Sequence, residues 1–276
     1  MIFDTHAHYD DRAFDDDRDE LLRSMPEKGI GRIVNVASTY ESNAVSLALS
    51  EKYEDVYTSV GLHPTEIYDI PGTDSLAVNT EILDEISEMC SRPKVVAIGE
   101  IGLDYHYDDT DKPMQMAYFD AQLEIALKKD LPVIIHSRDA AADTMEQMRT
   151  FAKKGGRGVI HCFSYSYEMA AEYVKMGYFI GIGGVVTFKN ARKLKECAKR
   201  SLLRVLSLKQ TARTLHRFLT EGRETTPHIL NRWQRRSRLF EGSRPKKSGT
   251  QPGKMRSDCM GWRRERPPVA FGKRKK

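Results

Sequence analysis

Five residues able to ligate a divalent cation stand where apolar, strand-like runs of this chain end: His6 and His8, Glu100, His136 and His161. In Met1-Ile2-Phe3-Asp4-Thr5-His6-Ala7-His8 the two imidazoles are two residues apart. On a strand that spacing points both to one face. They can then aim at one ion, and a neutral imidazole pair suits Zn, Mn, Fe or Co. Asp4 shares that face and is placed to orient a ligating imidazole from behind. Taken alone, His-X-His equally describes a packed or surface pair.

The later residues change the balance. Lys94-Val95-Val96-Ala97-Ile98-Gly99-Glu100 is an apolar run that leads into a carboxylate, with Ile101-Gly102-Leu103-Asp104 after it. Pro132-Val133-Ile134-Ile135-His136 and Gly158-Val159-Ile160-His161 are apolar runs that end in histidine. Burying a carboxylate is costly unless it is paired or coordinated, so Glu100 reads as a bridge between two cations. Each residue singly is compatible with a hydrogen-bonded cap on a buried strand. Four strands that end alike are not.

The elements that must position these residues alternate regularly. Through Arg200 the sequence predicts strands at 32–37, 56–62, 94–100, 132–136, 158–161 and 178–186 after the first. Helical stretches are predicted at 15–27, 40–52, 75–90, 114–129, 140–153, 167–176 and from Asn190. Seven strand–helix pairs are the signature of a parallel α/β architecture. Functional residues at the strand C-termini favour a (β/α)8 TIM-type barrel, because such barrels carry their chemistry on that rim. A doubly wound sheet is the alternative, but its Gly-X-Gly-X-X-Gly turn after strand one is absent. No eighth unit is expected.

The 276 residues suffice for one large domain. Cysteines at 90, 162, 197 and 259 have no Cys-X-X-Cys spacing, so neither a zinc ribbon nor a disulfide framework is indicated. No signal peptide or membrane-length apolar run is seen, and a cytoplasmic protein with reduced thiols is expected. Charge divides the chain. Residues 199–276 carry 23 Lys+Arg against 5 Asp+Glu, a balance of +18, whereas 1–198 carry 21 against 34, or −13. The sequence therefore predicts a hydrolase barrel over 1–198 and a basic tail over 199–276, disordered by composition.

Phe3-Asp4-Thr5-His6-Ala7-His8, Gly61-Leu62-His63-Pro64, Ile98-Gly99-Glu100-Ile101-Gly102-Leu103-Asp104-Tyr105, Pro132-Val133-Ile134-Ile135-His136-Ser137-Arg138 and His161-Cys162-Phe163 together resemble the TatD family of metal-dependent deoxyribonucleases. The resemblance covers residues 1 to about 198. It implies a metal-dependent hydrolase barrel acting on DNA ends or other phosphodiesters with two divalent ions (Mg, Mn or Zn). Carried over by position, His6 and His8 hold one ion and His136 and His161 the other, with Glu100 between them. His63 and Arg138 become candidates for phosphate oxygens, and Tyr105 for stacking on a base. Each of these three also reads as a rim residue with a structural role.

The family's next motif, an apolar run ending E-T-D and followed by P-Y-L-A-P, is missing. That Asp supplies a metal ligand and the proton acceptor for the attacking water. Here the interval reads Leu206-Ser207-Leu208-Lys209-Gln210-Thr211-Ala212-Arg213-Thr214-Leu215-His216, without a carboxylate. Codons permitted for Leu206 to Ile229, read from their third bases, spell F-L-E-T-D-C-P-Y-L-A-P-V-P-Y-R-G-K-R-N-D-S-S-Y. A change of reading frame near residues 198–205 is therefore expected, and the tail's charge would be its by-product. No catalytic base can be assigned, and loss of an eighth strand would expose the edges of strands one and seven. Two other readings remain. One is a small-molecule amidohydrolase, whose superfamily shares the His-X-His barrel. The other is an inactive barrel remnant whose basic tail binds nucleic acid.

Overall fold

The computed structural model describes residues 2–68, 78–183, 191–194, 197 and 205–208. Strands and helices alternate as β1 (Ile2–Ala7), α1 (Arg18–Ser24), β2 (Ile30–Val36), α2 (Tyr40–Lys52), β3 (Val56–Val60), α3 (Thr80–Met89), β4 (Val95–Asp104), α4 (Lys112–Lys129), β5 (Val133–Arg138), α5 (Ala141–Lys153), β6 (Gly158–Ile160), α6 (Tyr167–Lys175), β7 (Phe179–Ile182) and β8 (Val205–Leu208). Every strand pairs in parallel with the next, from β1 through to β8. The sheet curls until β8 lies against β1. This is the barrel-type architecture read from the alternation.

The seven strands read from the sequence are all present, and a short further strand follows them with no described helix after it. In it Val205 pairs with Ile180 and Leu208 with Ile182. A four-residue strand carries almost no periodic signal, and here neither a following helix pattern nor a terminal ligand marks it. Strands β1 and β7 therefore keep a neighbour, and the sheet runs past the boundary expected at residue 198. The remainder of the expected basic tail, from 209 on, lies outside the described residues, as do parts of the glycine-rich stretch and helix expected between 184 and 200.

The helix ends follow local chemistry. Thr39 and Ser42 form a reciprocal capping box at the start of α2, and Asn79 caps α3 through Ile82 N. Helix α4 begins at Asp111, whose carboxylate accepts from Met114 N, and Pro113 stands in its first turn. Such caps each contribute about 1 kcal/mol.

Alternation along the strands sorts two cores. Val133 and Ile135 of β5, Ile160 of β6 and Ile98 and Ile101 of β4 pack with the helices in the largest apolar cluster. Val34, Val36, Ala97, Ile134 and Val159 form a second cluster drawn only from strands, which faces away from the helices into the curl. Counting on by two from Ile134 and Val159 places His136 and His161 on that inner side. Glu100 would not follow from the same count, since Ala97 is three residues before it. The register explains the exception. Ile98 pairs with Val133 but Ile101 with Ile135, so β4 carries one residue more than β5 in between. This bulge reverses the alternation and turns Glu100 inward.

Glycine makes the bulge possible. A Cβ on Gly99 would lie 2.6 Å from Ile134 Cβ, and one on Gly102, at φ +143°, 2.0 Å from the His136 carbonyl oxygen. Strand β4 approaches β5 too closely for any side chain at either place.

Candidate metal centre

The inward side chains meet at the C-terminal ends of the strands, around Glu100. This carboxylate is only 4% exposed, and its two oxygens face different partners. Oε2 lies 3.1 Å from His6 Nε2 and 3.7 Å from His8 Nε2. Those two nitrogens are themselves 3.0 Å apart. On the other side, Oε1 lies 2.9 Å from His136 Nδ1, 3.1 Å from His161 Nε2 and 3.9 Å from His63 Nε2. All five residues singled out as ligands in the sequence thus converge around Glu100, and the His6 ring stacks on that of His161 with centroids 4.0 Å apart.

Hydrogen bonds on the outer nitrogens set the tautomers. His8 Nδ1 lies 2.7 Å from the Val36 carbonyl oxygen, which can only accept, so Nδ1 carries the proton and Nε2 points its lone pair inward. His136 Nε2 lies 3.0 Å from Asp104 Oδ2 and serves the same way, leaving Nδ1 toward Glu100. With these outer nitrogens committed, His8 and His136 can each turn a lone pair toward the Glu100 side, where a cation would complete the arrangement. The spacings agree: bonds of about 2.0–2.1 Å in a tetrahedral site set donor–donor edges of about 3.3 Å. The donor set therefore fits divalent metal. Asp4, read as an imidazole orienter, accepts from the His6 backbone N–H at 3.2 Å.

Two members of the cluster escaped the sequence reading as such. Asp104 is one. It stands four residues beyond Glu100 in the same strand, an even spacing that could have flagged a shared face. Its backbone N–H is held by Gln115 Oε1 of α4 at 2.8 Å, and its Oδ1 accepts from His106 N at 3.0 Å. Burial acts to lower the His136 pKa, but the Asp104 and Glu100 carboxylates outweigh it and hold the ring above the ordinary imidazole value. Burial acts to raise Asp104, yet the hydrogen bond from His136 and that from His106 N bring it below the usual carboxylate range. A carboxylate on the outer nitrogen of a ligating imidazole fixes its orientation and basicity. Asp104→Asn is expected to weaken cation binding about 10–100-fold, read by competition with a chromophoric chelator. Unchanged affinity would remove Asp104 from the centre.

His63 is the other. Expected from the sequence as a phosphate contact, it sits in the cluster, its ring centroid 4.2 Å from that of His136 in an edge-on arrangement. Burial pushes its pKa down to about 3, with the His136 charge acting in the same direction, so the ring is neutral. Arg138 and Tyr105 lie further out. Arg138 is half exposed, with NH1 4.0 Å from Asp104 Oδ2 and its guanidinium 5.9 Å from the Tyr107 ring centroid. The Tyr105 hydroxyl donates to Asp143 Oδ2 at 2.8 Å, and the Lys112 ammonium lies 4.6 Å from its ring centroid.

A curled parallel sheet with an imidazole–carboxylate cluster at its C-terminal edge defines a metal-dependent hydrolase of the barrel type. The match to known proteins narrows this: residues 3–208 fit the model of the TatD related DNase family, and the chain belongs to that family. It is 37% identical over 199 residues to the uncharacterized metal-dependent hydrolase YabD of Bacillus subtilis, covering 72% of this chain and 75% of that protein. The crystal structure of YJJV, a TatD homolog from Escherichia coli K12, superposes with a TM-score of 0.74 at 32% identity, covering 84% of this chain and 86% of that one. A relative named 3'-5' ssDNA/RNA exonuclease TatD, from Cronobacter sakazakii, is 29% identical over 185 residues, 67% of each chain. Among the described residues, no helix is long and apolar enough to cross a membrane.

Proposed function

We propose that this chain is a divalent-metal-dependent phosphodiesterase acting on DNA, with His6, His8, Glu100, His136 and His161 as ligands to two cations. One observation carries the reading: each oxygen of Glu100 addresses its own set of imidazole nitrogens. A single-ion site would have no use for that division. The exonuclease relative supports nucleic acid as the substrate class.

Divalent ions held by these residues would supply activation of a water nucleophile and charge neutralisation at the attacked phosphoryl group. Glu100 and the histidines hold and space the ions and move no proton. Arg138, steadied by Asp104, offers its guanidinium to the phosphate oxygens at the rim. Tyr105 and Lys112 together present a ring and an ammonium, a pair suited to a base and its phosphate. The proton acceptor of the family pattern has no counterpart after β8, where Lys209-Gln210-Thr211 follow. Turnover is therefore expected about two to four powers of ten below that of a complete site.

An end-labelled single-stranded oligonucleotide, incubated with the chain and Mn2+ or Mg2+, tests the reading. Shortened products that vanish with chelator are expected. Hydrolysis of a cyclic amide but not DNA would favour the amidohydrolase alternative. Intact DNA, retained in a salt-sensitive way that survives metal removal, would favour passive binding by the basic tail.

A further inference from the structure

The two sides of Glu100 are not equivalent in donors. The Oε2 side offers His6 and His8, and the carboxylate that should complete it is absent from the sequence after β8. The Oε1 side offers His136, His161 and, from β3's end, His63. Building on the metal-centre reading, we propose that His63 is a ligand rather than a phosphate contact. It adds a protein donor to the His136 side of Glu100, and the cation there binds first and more tightly in this chain.

Three features of His63 support a built ligand. Its outer nitrogen is committed: Nδ1 lies 2.8 Å from Thr65 Oγ1, and the Thr65 hydroxyl donates to Glu66 Oε1 at 3.0 Å. Nδ1 also accepts from the Thr65 backbone N–H at 3.3 Å. These Thr65 contacts fix the ring so that Nε2 is the nitrogen directed at Glu100 Oε1, 3.9 Å away.

The backbone that carries the ring is also clamped. Asn43 of α2 accepts from Gly61 N and donates to Gly61 O, at 2.8 and 3.0 Å. Gln122 of α4 does the same for Leu62, at 2.7 and 3.2 Å. The His63 N–H itself donates to Ser38 O at 2.8 Å. Two buried amides from separate helices and one backbone carbonyl hold three consecutive residues, which is what a ligand needs if its cation is to meet a preformed set. Thirdly, the ligand atoms of His63, Glu100 and His136 all lie within 4.8 Å of one another.

Titrating the metal-free full chain with Co2+, followed by calorimetry and by visible absorption, tests this. The wild type is expected to take up one equivalent tightly and a second more weakly. His63→Ala should weaken the first event by at least about 100-fold and change its absorption band. Thr65→Val, which keeps the ring but removes the hydroxyl beside its outer nitrogen, should weaken it about 10–100-fold. His8→Ala should leave the first event and abolish the second. If His63→Ala and Thr65→Val retain the first event's affinity and spectrum while both remain folded by circular dichroism, His63 is no ligand. A wild type that takes up no cobalt would instead sink the metal centre as a whole.

Discussion

Glu100→Gln is expected to abolish turnover and metal-induced stabilisation together, while leaving the metal-free fold at least as stable as before. The substitution keeps shape and removes charge. In the metal-free protein Glu100 is a buried carboxylate among imidazoles, and a neutral amide avoids much of the cost of burying that charge. With cations present the balance inverts, because one oxygen on each side of the centre loses its anionic character. Metal polarisation supplies several kcal/mol of transition-state stabilisation. Losing about 4 kcal/mol corresponds to about three powers of ten in rate. At cation concentrations 100-fold above Kd, wild-type protein gains about 2.7 kcal/mol, or about 5–10 °C in Tm. Glu100→Gln should show almost none of that gain. Thermal melts with and without Zn2+, beside the oligonucleotide assay, read both effects. A variant that keeps both would mean that Glu100 does not bridge.

The second large effect concerns the end of the barrel. A gene whose codons beyond about residue 205 are read in the shifted frame would place Phe-Leu-Glu-Thr-Asp at the end of β8. Such a chain is expected to bind the Oε2-side cation with a fourth protein donor and to turn over about two to four powers of ten faster. Its second cobalt-binding event should tighten while the first stays as it was. Sequencing the interval comes first, because codons that cannot yield Glu-Thr-Asp in that frame end the explanation outright. If the frame is restorable but the restored chain gains neither affinity nor rate, the absent carboxylate is not what limits this protein. The described β8, paired along β7, makes the sheet independent of that Asp. The deficit is therefore expected in chemistry more than in folding. Soluble, cooperatively melting protein from the chain as given would bear that out.

Much of this molecule was legible before any coordinates. Apolar runs separated by amphipathic stretches imply a parallel sheet wrapped by helices, since apolar strands of this kind are buried on both faces. Observed α2 spans the same residues as the sequence reading, and the other helices begin within a few residues of theirs, where Asn79, Asp111 and Ser166 cap them. His136 and His161 follow from alternation alone, because β5 and β6 are regular. Strand β8 was illegible for the opposite reason. Four residues are too few for a pattern, and parallel pairing with β7 is a long-range choice made by the whole sheet.

The amino-acid sequence by itself determined which chemistry is available: imidazoles and a carboxylate at strand ends, and no carboxylate between Leu206 and His216. Composition and spacing carry that much because ligand type belongs to the residue. Only the tertiary structure decided how the ligands divide. The extra residue in β4 turns Glu100 inward against the alternation, the packing of α2 and α4 brings His63 beside it, and Asp104 reaches the outer nitrogen of His136. These depend on register and on contacts between residues far apart in the chain, to which local periodicity is blind.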